Sequence, residues 1–161
     1  MEGVVMNVRE IMSKEVKSTN PDSTLASVAN AMWSENIGSL PVVDSQGKAV
    51  GIVTDRDISM SSFLNHKSLW ELRVQDVIHG QKLWSCHPDD PVEKALDLMQ
   101  EHEVRRLPVV DQKGRLVGLL SLGDLVSVAS PGAGRKKMAV PLHSLDPLLK
   151  AVFAHHEMAH A

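Results

Sequence analysis

Thr54 and Asp57 stand three residues apart, directly after the apolar run Val50-Gly51-Ile52-Val53. Ser121 and Asp124 stand in the same relation to Val117-Gly118-Leu119-Leu120. A hydroxyl and a carboxylate one helical turn apart at the end of a strand can do two things. The hydroxyl can cap the helix that follows. The carboxylate can accept hydrogen bonds from two vicinal hydroxyls of a sugar, as an acidic residue does in dinucleotide folds. The Thr or Ser hydroxyl can donate to or accept from the same sugar, and a helix N-terminus beside them adds partial positive charge. One residue can serve both purposes, and the spacing alone leaves both open.

Other reactive residue types carry less. His156-Glu157-Met158-Ala159-His160 has the HExxH spacing of a zinc-protease helix, with two imidazoles one turn apart and a glutamate base. No third ligand follows before Ala161, and a terminal helix is poor preorganisation for catalysis. A zinc-dependent hydrolase is therefore a remote alternative. No metal site is expected, and His156 and His160, with His155 beside them, are only weak candidates for loose metal binding. Cys86 beside His87 lies in an extended segment without an orienting acid, and reads as a buried structural thiol. Arg135-Lys136-Lys137 follows a Gly-rich break and reads as a solvated linker. Neither a Walker-type phosphate loop nor GxGxxG is present, so ATP hydrolysis by those machineries is unsupported and the chain is not expected to be an enzyme.

The elements that position Thr54 and Ser121 occur twice. Residues 37–47 read IGSLPVVDSQG and residues 104–114 read VRRLPVVDQKG. A shift of 67 places Pro41 on Pro108, Asp44 on Asp111, Gly51 on Gly118 and Asp57 on Asp124. Backward it places Pro21 on Pro88 and Met32 on Met99. Val8 to Met12 also matches Val74 to Ile78, at a shift of 66. Each copy reads as an extended entry (15–20, 82–87), a helix, a strand, a glycine turn, a strand and a second helix. Leu25, Val28, Ala29 and Met32 recur at helical spacing, as do Val92, Ala95, Leu96 and Met99. Asp90-Pro91 reads as an N-cap and first helical position. The strands are apolar on both faces and should be buried between helices. The expected fold class is α+β, a pair of pseudo-symmetric β-α-β-β-α repeats packed through their small sheets, with a C-terminal helical tail. The expected boundaries are 6–66 for the first repeat, 67–129 for the second, 130–143 for a linker and 144–161 for the tail, where Leu148, Leu149, Val152 and Phe153 share a side.

Composition sets the outer limits. A chain of 161 residues with 43% hydrophobic and 23% charged residues can bury a sizeable core. Its net charge of -3 gives no global attraction to nucleic acid or acidic membranes. No apolar run is long enough to span a bilayer, and no signal peptide is evident, so a cytoplasmic location is expected. A single cysteine excludes an internal disulfide framework.

The doubled LPVVD, glycine turn and GIVTDRDI or GLLSLGDL pattern resembles the cystathionine β-synthase (CBS) domain, and the two copies resemble a tandem CBS pair, or Bateman module. The resemblance covers about residues 6–129 and stops before the tail. It implies a regulatory, non-catalytic module that binds AMP, ADP, ATP or S-adenosylmethionine in the cleft between the copies. It also implies a homodimer and signalling to a protein in trans. No cofactor is required, and no membrane or nucleic acid is expected as a partner. By resemblance Thr54, Asp57, Ser121 and Asp124 hold ribose. Arg105 and Arg106 occupy positions where similar proteins place His or Arg against phosphate, and Arg56 is a further basic candidate. Thr19, Ile37, Ser85 and Val104 fall in the segments that form the adenine pocket. The first copy has Gly38 and Ser39 where the second has the arginines, so two related clefts of unequal affinity are expected. The alternative is a CBS-pair dimerisation scaffold with no physiological nucleotide.

Overall fold

The computed structural model describes residues 6–129 and 142–153. In the first copy, α1 (Leu25–Glu35) leads to β1 (Ser39–Val43), β2 (Ala49–Thr54) and α2 (Asp55–Asn65). The second copy repeats this order with α4 (Val92–Glu101), β3 (Arg106–Val110), β4 (Leu116–Ser121) and α5 (Leu122–Ala129). A 3-10 turn at Val8–Glu10 precedes the first copy and α3 (Val74–Ile78) precedes the second. A 3-10 turn at Leu142–Leu145 runs into α6 (Asp146–Phe153).

The hairpins follow from local chemistry. The Asp44 carboxylate accepts the Gln46 and Lys48 N–H groups at 2.8 and 2.9 Å, closing the turn. Gly47 and Gly114 take φ of +77° and +79°, the left-handed region that favours glycine. The β1–β2 register sets Ser39 opposite Thr54 and Leu40 opposite Val53.

Each extended entry pairs through one residue only. The Thr19 N–H donates to Pro41 O, and Thr19 O accepts from the Val43 N–H. Cys86 does the same between Pro108 O and the Val110 N–H. Prolines stop the ladder on both sides. A further rung toward residue 17 would need an N–H from Pro41, and one toward the helix would need an N–H from Pro21. Pro108 and Pro88 impose the same limit in the second copy.

Two local expectations change. Pro91, not Asp90, is the N-cap of α4, with φ -61° and ψ 145°. An antiparallel bridge to Asn7 holds Pro91 extended, and the Asp90 carboxylate is taken by the His87 N–H and the Lys94 ammonium. The strands β2 and β4 are not buried on both faces. Gly51 and Val53, like Gly118 and Leu120, point inward, while Val50 and Val117 are each 36% exposed.

The chain divides into two compact units, and the short leading segments are exchanged between copies. The α1–α2 unit comprises residues 16–83 and 112–116. The α4–α5 unit comprises residues 84–111 and 117–129 together with 6–15 and 142–153. The exchange is symmetric in its hydrogen bonds. Val8 and Arg9 donate to Asp90 O and Pro88 O, while Val74 and Gln75 donate to Ser23 O and Pro21 O. Leu25 N–H meets Leu72 O where Val92 N–H meets Met6 O. The α1–α2 core gathers Leu25, Val28, Leu40, Val42, Val53 and Val74. The α4–α5 core gathers Met99, Leu107, Leu120 and Leu125 with Val8, Leu145 and Leu148.

This exchange explains the glycine in each motif. The Ser13 backbone bridges Leu119, so residues 12–13 cross directly over Gly118. A Cβ on Gly118 would lie 2.6 Å from Met12 Sδ and 3.0 Å from Ser13 O. The sulfur can move, but the carbonyl is fixed by its bond to Leu119. Gly118→Ala is expected to lower stability by about 1–3 kcal/mol through overpacking. Differential scanning calorimetry checks this; an unchanged melting temperature would contradict the close crossing.

Candidate functional site

Each repeated hydroxyl–carboxylate pair lies at a strand-to-helix junction. Thr54 ends β2 with extended backbone, φ -117° and ψ 162°, and α2 starts at the next residue. Its Oγ accepts the Asp57 N–H at 3.1 Å. Asp57 Oδ2 accepts the Thr54 N–H at 2.9 Å and the Thr54 hydroxyl at 2.7 Å. In the other unit Asp124 Oδ2 accepts the Ser121 N–H and hydroxyl, both at 2.7 Å, and the Asp124 N–H donates to Ser121 Oγ at 3.2 Å. The capping reading is thus realised in both copies as a reciprocal box. Each box engages one carboxylate oxygen only. The Oδ1 atoms of Asp57 and Asp124 accept no hydrogen bond among the described residues, and both side chains are half-buried. The box therefore fixes the carboxylate rotamer and leaves one oxygen open to a donor pair such as a sugar diol.

The base-proximal candidates lie on the opposite edge of β1. Thr54 pairs with Ser39, and Thr19 pairs with Val42 three residues along. Three strand residues span roughly 10 Å, comparable to the length of a nucleoside. Because the Thr19 and Cys86 backbone groups are engaged by the strand, the flanking Ser18 and Ser85 groups face the other way. Neither Ser18 nor Ser85 forms a hydrogen bond among the described residues, which leaves main-chain donors and acceptors for a base edge. Ile37 and Val104 follow residues in the left-handed region, Asn36 at φ 52° and Glu103 at φ 53°. Val104 is half-buried, whereas Ile37 is 38% exposed. The structure places Ile37 with Trp33, Gly38 and Asp55 on a groove of about 500 Å³ between α1 and α2. Thr19, Thr54 and Asp57 do not line that groove.

The cations divide unequally. Arg105 is exposed, and its carbonyl accepts the Leu122 N–H at 2.8 Å, so its backbone abuts the start of α5 and the Ser121–Asp124 box. Arg106 opens β3, is half-buried and forms no ion pair among the described residues. In the first copy the Gly38 carbonyl receives the Asp55 N–H, and a Cβ on Gly38 would lie 3.2 Å from Asp55 Oδ2. That position has no side chain to supply a cation. Arg56 is exposed in the first turn of α2, next to Asp57.

Three further features stand out, the first and third of them not apparent from residue types. Trp84 stacks on His102 at 3.3 Å and 4°, and the matching first-copy positions hold the Lys17–Glu35 ion pair at 3.1 Å. The same two positions thus tie the entry segment to the helix end by different chemistry. Burial, with Asp90 adding to it and Lys94 opposing, pushes the Cys86 thiol up to about 12. Cys86 is accordingly a protonated core side chain at neutral pH, not a nucleophile. The third is the contribution of Leu145 and Leu148 to the α4–α5 core. His155, His156, His160 and Arg135-Lys136-Lys137 lie outside the described residues. No group of three metal-ligating side chains occurs among the described residues, and no helix there is long and apolar enough to cross a membrane.

Comparison with known proteins identifies the family. The family model of the CBS domain matches residues 8–62 and 74–130. The chain is 37% identical over 119 residues to the CBS domain-containing protein YhcV of Bacillus subtilis, covering 74% of this chain and 82% of that protein. It is 34% identical over 134 residues to the inosine-5'-monophosphate dehydrogenase of Methanocaldococcus jannaschii, covering 83% of this chain but only 26% of the enzyme. Among solved structures, the CBS domain pair of protein MJ0100 in complex with 5'-methylthioadenosine and S-adenosyl-L-methionine is 28% identical, with a TM-score of 0.66. That alignment covers 77% of this chain and 95% of that one. CBSX2 in complex with AMP is 27% identical with a TM-score of 0.66, covering 76% and 95%.

Proposed function

The chain belongs to the CBS domain family, and from that premise we propose that it is a non-catalytic regulatory module that binds an adenosine-containing ligand. The ligand is AMP, ADP, ATP or S-adenosylmethionine, and the bound state is signalled to a partner protein in the cytoplasm. One observation carries this reading. The Thr/Ser–Asp box is built twice, with matching bond lengths within 0.2 Å, and each copy keeps one carboxylate oxygen open. A cap alone requires neither the doubling nor a half-buried carboxylate. Adenosine ligands held by two similar CBS pairs support the ligand class.

Each residue has a stated task in the reading. Asp57 and Asp124 accept from the ribose hydroxyls, and Thr54 and Ser121 hold those carboxylates in place. Thr19 and Ser85 belong to the segments whose main chain reads the base, with Ile37 and Val104 as apolar neighbours. Arg105, Arg106 and Arg56 supply positive charge for phosphate. The arginine pair gives the second copy more positive charge for a phosphorylated ligand than the first copy, which offers Arg56. A homodimer is part of the same reading. Binding shifts populations between conformers only by its differential affinity for them.

Thermal unfolding against AMP, ADP, ATP, S-adenosylmethionine, NAD and zinc tests the proposal. A ligand at 100 times its dissociation constant stabilises by about 2.7 kcal/mol, or about 5–10 °C for a chain of this size. A shift with an adenosine compound is expected. No shift with any nucleotide would replace this reading with the dimerisation scaffold.

A further inference from the structure

The base-reading segment of the second copy is tied to its strand at one point. Among the described residues Cys86 alone pairs it with β3, through Pro108 O and the Val110 N–H. Ser85 precedes that rung, and its main-chain groups face away from β3. Trp84 lies one residue further toward the start of β3, because the entry runs parallel to that strand. There its indole lies flat on the His102 imidazole, with ring centroids 3.3 Å apart and planes 4° from parallel. His102 closes α4, and Glu103 at φ 53° turns the chain into Val104. Trp84 and Val104 both pack on the α4–α5 core. Ser85 and Val104, the two walls assigned to the base, are therefore braced at both ends. At one end the Cys86 rung joins the entry to β3. At the other the Trp84–His102 stack joins it to the end of α4.

The first copy closes the same ring by other means. The 67-residue shift puts Lys17 and Glu35 on the positions of Trp84 and His102. Their ion pair of 3.1 Å lies in the open, with the side chains 67% and 45% exposed. An exposed pair of long side chains holds little and is screened by salt. The His102 side chain is only 16% exposed, and a flat ring on two torsions has little freedom to lose. The copies thus differ in how firmly the base-reading segment is set before a ligand arrives. This matters most for main-chain readout. The donors and acceptors belong to the backbone, so ordering them on binding costs the freedom of whole residues.

We propose that Trp84 and His102 are positioning residues of the second-copy site. Their stack fixes the spacing between the Ser85 main chain and Val104, and thereby lets that site discriminate adenine from other bases. Neither ring needs to touch the ligand. The inference rests on the adenosine reading of this site and deepens it.

Isothermal titration of the full chain with AMP and with GMP tests this. Every chain carries Asp57→Asn, so that the second-copy site reports. The reference chain is expected to bind AMP at least about 10-fold more tightly than GMP, the mark of a site that hydrogen-bonds one base edge. Trp84→Ala and His102→Ala are each expected to weaken AMP by about 10-fold, the order of fixing one backbone residue at binding. GMP uses the same ribose and phosphate contacts without matching the base edge, and should move by less than about 2-fold. Trp84→Phe keeps a ring on His102 and should keep the preference for AMP. Equal weakening of both nucleotides would mark a merely structural role and overturns the proposal. A reference chain without preference for AMP, or an unchanged preference in both alanine variants, overturns it while nucleotide binding stands. A reference chain that does not bind AMP overturns the reading of the site and the proposal with it. His102→Ala leaves Trp84 on the core, and decides between these results if Trp84→Ala fails to fold.

Discussion

Asp57→Asn combined with Asp124→Asn should weaken binding of an adenosine ligand by about 10- to 100-fold at each site, because a hydrogen bond to a charged group contributes about 1.5–3 kcal/mol. The substitution separates the two tasks of the residue. An Asn side-chain oxygen can still accept the Thr54 or Ser121 N–H that the carboxylate now accepts at 2.9 or 2.7 Å. The helix start is therefore retained at a cost below the roughly 1 kcal/mol of losing a cap outright. What disappears is the negative charge beside the open Oδ1. Thr54→Ala with Ser121→Ala is the converse. It removes the hydroxyl that accepts the Asp57 or Asp124 N–H and donates to the carboxylate, and so lowers stability first. Calorimetric titration against unfolding curves distinguishes the two. Unchanged affinity in the double Asn variant would reduce the boxes to caps.

Leu148→Ala should destabilise the chain by about 3 kcal/mol, within the 2–5 kcal/mol range for truncating a buried leucine. That corresponds to a fall in melting temperature of about 10 °C. Leu148 is fully buried, in one cluster with Met99, Leu125, Ala129 and Leu145. The lost methylene groups leave a cavity that the surrounding helices cannot close without losing their own contacts. The result assigns α6 a structural role: it completes the core of one unit from outside the CBS repeat. A melting temperature within about 1 °C of the parent would mean that α6 is dispensable to that core.

The repeat, the hairpins and the helices were legible because their signals are local. Pro41, Asp44, Gly47 and Gly51 recur with fixed spacing, and Asp44 and Gly47 close the turn by the interactions their types imply. The start of α4 was less legible. Asp90-Pro91 has the right composition for a cap, but a bridge to Asn7, distant in sequence, holds Pro91 extended. The exchange of residues 8–12 and 74–78 between units cannot be read at all from residue types. Both segments match each other, so either could pack on either copy; the hydrogen bonds to Pro88 and Pro21 decide it. The helical periodicity of the tail marks Leu148 as one side of a helix but says nothing of what covers it.

The candidate site was legible to the same degree. Thr54, Asp57, Ser121 and Asp124 stand out by doubling, and the asymmetry of Arg105 and Arg106 against Gly38 and Ser39 is plain in the sequence. The division of labour between the two carboxylate oxygens is not, because it depends on rotamers set by the box. Nor is the exposure of Trp33, since an aromatic residue at helical spacing normally reads as core.

The central claim is that the chain binds an adenosine-containing ligand through Asp57 and Asp124. Isothermal titration of the full chain with AMP and with S-adenosylmethionine, repeated on the Asp57→Asn, Asp124→Asn chain, tests it most directly. The account predicts saturable binding by the parent to at least one of the two, and loss of that heat in the variant. No saturable binding of either compound up to about 1 mM, a limit of only about 4 kcal/mol of affinity, would contradict it.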